Sequence, residues 1–95
     1  MQLSAEITAQ KKSSVFYDSN GRLTQYPRKK SMRMIALGKI ADCFDKGRKY
    51  TEKEVNEIIR QNISFSDFVL IRRELFDYRF LDRLSDGSQY WRENR

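Results

Sequence analysis

The sequence predicts one α+β domain of winged helix-turn-helix type: three helices, a C-terminal β-hairpin wing, and a short strand or hairpin ahead of them. Three observations carry that expectation. Apolar residues recur at steps of three and four in separate stretches near 28–45, 52–61 and 65–78. A Thr-x-x-Glu capping box opens the second stretch. Asp86-Gly87, a hairpin dipeptide, separates two short runs near the C-terminus. At 95 residues the chain suits a single domain, expected over 15–95, behind a polar arm over 1–14 that is a candidate for disorder.

The elements follow in order. Val15-Phe16-Tyr17 is aromatic and β-branched, Asn20-Gly21 is a turn dipeptide, and Leu23 to Tyr26 resumes a weak alternation. This reads as a small hairpin or one edge strand, closed by Pro27. Helical spacing then takes over: Met34, Leu37, Ala41 and Phe44 share a face with Ile40 beside them, and Lys46-Gly47 is a plausible stop. Gly38 lies inside this helix, where it suggests close approach of another element. Thr51 and Glu54 form the capping box of the second helix, with Tyr50 and Val55 as its hydrophobic staple and Ile58 and Ile59 turned inward. A strand is also expected near Arg48 to Tyr50. Ser64 with Asp67 reads as the next cap, Ser66 competing, and Phe68, Ile71, Leu75 and Tyr78 form the inner face of the third helix. Phe80 to Leu84 and Gln89 to Arg92 are the two strands of the wing.

Composition excludes several classes of chemistry. There is no histidine, which removes Ser-His-Asp triads, Cys-His nucleophiles and Cys/His zinc sites. One cysteine, Cys43, allows no intramolecular disulfide, and its place beside an apolar stripe predicts a buried structural thiol. No glycine-rich phosphate loop occurs. Glu52, Glu54 and Glu57 suit capping and solvent better than a cation site. No apolar run is long enough to span a bilayer, and the polar start lacks a signal-peptide core. The expectation is a non-enzymatic cytoplasmic protein without metal, cofactor or membrane partner.

The runs G-R-L-T-Q-Y-P at 21–27, Y-T-E-K-E-V-N-E-I at 50–58, R-R-E-L-F-D-Y at 72–78, F-L-D-R at 80–83 and D-G-S-Q-Y-W-R at 86–92 resemble a bacterial family of unknown function. Its members occur alone or fused to transcriptional regulators. The resemblance spans roughly Val15 to Arg92 and implies a winged-helix-like fold with a loose link to transcription. The family pattern usually has an acidic, histidine-containing stretch before the third helix, then small residues at the positions of Val69 and Leu70. Here the stretch is Ile63-Ser64-Phe65-Ser66 and both positions are bulky.

Net charge is +6, and its distribution is uneven. Residues 1–33 hold seven Lys/Arg against Glu6 and Asp18, while residues 34–95 hold twelve against eleven acids. A basic balance points to an anionic partner, with DNA as the leading expectation. Arg28, Lys29, Lys30 and Arg33 are candidate phosphate contacts. Arg73, with Arg72 at the helix edge, is placed to approach a groove, and Arg83, near Arg79 and Arg92, to add contacts from the wing. Against this, the second and third helices each sum to −1. The alternative is a protein-interaction or dimerisation module using an apolar patch of Val69, Leu70 and Phe76. Of Tyr90 and Trp91, adjacent on a strand, one is expected in the core.

Overall fold

The computed structural model describes residues 16–93. Its order is α1 (Lys30–Ala41), α2 (Glu52–Asn62), α3 (Phe68–Asp77), β1 (Leu81–Arg83) and β2 (Tyr90–Arg92). The two strands pair antiparallel, Leu81 opposite Arg92 and Arg83 opposite Tyr90. Tyr50 adds a third rung: its N–H donates to Tyr90 O and its carbonyl accepts from Tyr90 N, both at 2.8 Å. The expected strand before α2 is thus a single bridge on the free edge of β2. Helix, edge segment, helix, turn, helix and hairpin is the winged helix-turn-helix layout in an α+β protein. The 1–14 arm lies outside the described residues.

The core is one apolar cluster. Leu37 of α1, Val55 and Ile59 of α2, Ile71 and Leu75 of α3 and Leu81 of β1 are fully buried. Apolar burial is the main term holding these elements together. The capping box forms as the sequence indicates: Thr51 Oγ1 accepts from Glu54 N at 3.1 Å and Glu54 Oε1 accepts from Thr51 N at 2.8 Å. Tyr50 and Val55, its staple, are both buried. Tyr90 is the core aromatic of its pair, while Trp91 is half-buried under the Lys49 ammonium, 4.0 Å from the ring centre.

Several boundaries differ from the sequence expectation. Helix α1 starts at Lys30 and ends at Ala41 rather than running over 28–45. Its N-cap Lys29 is extended (ψ 130°), so the helix begins only at Lys30. At its end Cys43 N bonds Ile40 O and Phe44 N bonds Ala41 O, a tightened turn that leaves the helix. Phe44 still reaches the core from beyond this turn and meets Tyr50 edge-on at 5.0 Å. Gly47 (φ 81°) serves a later turn, not the helix stop. Met34 is only half-buried, and Ala36 takes a core position instead. Cys43 is exposed, with Sγ 3.5 Å from Asn62 Oδ1, because the turn swings it off the buried face. Gly38 admits no unusually close neighbour: the nearest atom to a methyl built there is Phe80 Cε1 at 3.7 Å.

Helix α3 begins at Phe68, not 65, and its cap is Asp67, whose Oδ1 accepts from Leu70 N at 3.2 Å. Ser64 is committed elsewhere. Its N–H donates to Leu23 O at 2.8 Å, and Leu23 N donates to Asn62 O at 2.8 Å. The N-terminal segment, a Tyr17–Leu23 bridge across the Asn20-Gly21 turn, therefore seals the corner between α2 and α3. Val15 lies outside the described residues. At its other end α3 closes with Arg79 N on Phe76 O and Phe80 N on Leu75 O, a Schellman motif with Arg79 at φ 67°.

Candidate nucleic-acid interface

The layout assigns α3 as the helix presented beside the wing. Along its outer face Val69, Arg73 and Asp77 are exposed, one turn apart, while Leu70 and Phe76 are half-buried. Between α3 and the wing runs a groove of about 540 Å³, lined among others by Glu52, Val69, Arg72, Arg73, Asp77 and Arg83.

The structure divides the basic residues of this region by what holds them. Arg72 is anchored: Nη1 donates to Asn56 Oδ1 at 2.6 Å, and Nε lies 3.8 Å from Glu52 Oε1. The same Glu52 oxygen accepts from the Tyr90 hydroxyl at 2.9 Å. Burial, then this carboxylate, pushes the Tyr90 phenol pKa up. Glu52 thus joins α2, α3 and the wing at one atom. Arg83 lies 4.8 Å over the Phe76 ring and donates to the carbonyls of Leu84 and Ser85 at 3.4 and 3.3 Å. Phe76 is therefore covered, which reduces the expected apolar patch to Val69 and Leu70. Arg73 alone of the α3 arginines has no ion pair, hydrogen bond or ring partner among the described residues.

The cluster at the start of α1 divides likewise. Arg33 donates to the carbonyls of Pro27 and Arg28, stacks 5.8 Å from Tyr26 and lies 4.0 Å from Glu74 Oε1. Arg28 and Lys29 are exposed, and their side chains have no partner among the described residues. Lys30 Nζ sits 5.5 Å over the Tyr78 ring. Contact between Lys30 and Tyr78 brings the start of α1 to the end of α3. Arg92, by contrast, is tied to Asp42 Oδ1 at 2.8 Å and to Phe44 O at 3.2 Å.

Sequence reading missed the residues that hold these arginines. Asn56, Glu52 and Glu74 are polar positions on helices, indistinguishable in a linear pattern from solvated ones. Their partners lie on other elements, so only the packing reveals them. No group of histidine, cysteine or acidic residues able to hold a metal ion occurs among the described residues. No helix there is long and apolar enough to cross a membrane.

A hairpin wing set against the third helix, with the edge rung at Tyr50, defines a winged-helix protein. Residues 22–92 match the family described as "uncharacterized protein conserved in bacteria" (DUF2087), and the chain belongs to that family. No curated protein and no solved structure matches it.

Proposed function

We propose that this chain is a small, non-catalytic DNA-binding protein of bacterial transcription, acting in the cytoplasm. The observation that carries the reading is the meeting of α1 and α3. Lys30 over Tyr78 places the unpaired Arg28 and Lys29 beside the end of the helix that exposes Arg73. Arg28, Lys29 and Lys30 would neutralise backbone phosphates, and Arg73 would enter the major groove. Arg33, Arg72 and Arg83 act indirectly, as positioning residues that fix α1, α3 and the wing.

Fluorescence anisotropy with a random duplex at 50 and 200 mM salt tests this. Tight binding that weakens steeply with salt is expected. Lys29→Ala with Lys30→Ala should weaken binding to all sequences and reduce the salt slope by about 2. An unchanged slope rejects the role of these lysines, and no binding at low salt rejects the reading.

One observation favours a second reading. Val69 is 45% exposed in the first turn of the outer face of α3, an apolar side chain available to a protein partner or second copy. Val69→Ser with Leu70→Ser should then abolish self-association in light scattering, or partner capture, while leaving the fold intact. Unaltered behaviour in both removes this reading.

A further inference from the structure

Beside the start of α1 lies a second groove of about 520 Å³. That volume falls in the range of roughly 300–1,000 Å³ found for small-ligand sites. Phe16, Tyr26, Pro27 and Met32 give it apolar walls, and Arg28 and Lys29 supply its charge. No acidic residue lines it among the described residues. Elsewhere in the fold arginines find carboxylates: Arg22 with Asp18, Arg48 with Glu54, Arg92 with Asp42. At this groove no described residue compensates the two cations.

The walls are held in place. Arg33 donates to the carbonyls of Pro27 and Arg28, and the Tyr26 hydroxyl is fixed to Glu74. A wall ordered before binding lowers the entropic cost of seating a ligand. Apolar sides with unpaired positive charge complement a molecule with an apolar body and one anionic end.

We propose that this groove binds a small amphipathic organic anion, with its ring or chain against Tyr26, Pro27 and Met32 and its acid group on Arg28 and Lys29. The site stands independently of the DNA reading. Where both hold, ligand and phosphate share Arg28 and Lys29, so an occupied groove weakens duplex binding.

The probe is 1-anilinonaphthalene-8-sulfonate, titrated into the full chain by fluorescence and followed by NMR of ¹³C-methyl methionine. The chain has three methionines, Met1, Met32 and Met34, so each methyl is readily assigned. Saturable one-to-one binding with the largest shift at Met32 is expected. N-phenyl-1-naphthylamine, the same body without the sulfonate, should bind roughly tenfold more weakly. Arg28→Gln with Lys29→Gln should weaken the sulfonate by a similar factor and leave the neutral probe unchanged. Circular dichroism checks that the variant folds, and the wild-type comparison of the two probes needs no variant. Absence of saturation, an unmoved Met32 methyl, or equal affinity for the two probes overturns the proposal. Probe binding without duplex binding retains this site and removes the DNA reading, whereas duplex binding without probe binding does the reverse.

Discussion

The hydroxyl of Tyr26 donates to the carboxylate of Glu74, 48 residues further along the chain. The bond ties the segment ahead of α1 to the inner flank of α3. With Arg33 beside Glu74, it also sorts the charges of that helix: Glu74 is engaged within the fold, while its neighbour Arg73 is left outside. Burial, then the Glu74 carboxylate, pushes the Tyr26 phenol pKa well above its ordinary value.

Tyr26→Phe should lower stability by about 1–2 kcal/mol at pH 7, read from urea denaturation. The pH dependence has a definite sign. The folded phenol holds its proton at pH values where the unfolded one, near 10, releases it. Its contribution is therefore complete below pH 10 and declines above. The variant should lose less stability than the wild type between pH 10 and 11. Parallel alkaline limbs would exclude this coupling.

The capping box makes the opposite prediction in acid. Bonding to the Thr51 amide, with Arg48 nearby, lowers the Glu54 pKa. Its contribution is present above the ordinary carboxylate pKa and is lost as pH falls through the lower folded value. Glu54→Gln should flatten the acid limb of the stability curve below about pH 4.5. Thr51→Ala should cost about 1 kcal/mol in denaturant titrations at neutral pH.

Arg79 occupies the left-handed position that ends α3, where side chains with a Cβ are strained. Arg79→Gly should raise stability by about 1 kcal/mol, measured as an upward shift of the thermal midpoint. A fall would mean that the arginine side chain makes a compensating contact.

Gly38→Ala should also stabilise, by about 0.5–1 kcal/mol, since a methyl there meets Phe80 at ordinary contact distance. Calorimetry that shows destabilisation would indicate that Phe80 cannot accommodate the methyl.

Legibility in the sequence tracked locality. The Thr51–Glu54 box and its Tyr50–Val55 staple need only residues within one turn, and both form as expected. The Asp-Gly hairpin is equally local, with Gly87 at φ 75°. Where a distant partner decides the outcome, the pattern misleads. Ser64 has the residue type of a cap, but its amide belongs to Leu23, and Asp67 caps α3 instead. Phe44 continues the spacing of the α1 stripe because it still points at the core after the backbone has turned. Arg79 ends α3 where glycine is the usual signal, so nothing in the sequence marks that stop. The basic residues were visible as charge, but not their commitments: Arg33, Arg72 and Arg92 hold elements together, whereas the side chains of Arg28, Lys29 and Arg73 have no partner among the described residues.

Leu23 sets where this protein can be cut. A fragment starting at Lys30 would keep α1, α2, α3, β1 and β2, yet strip the Asn62 carbonyl and the Ser64 amide of their partner. It would also leave a void where the buried Leu23 side chain had been. The smallest autonomous piece must therefore begin upstream of Leu23. Tension or a fused module applied at that end would pull directly on the bend between α2 and α3.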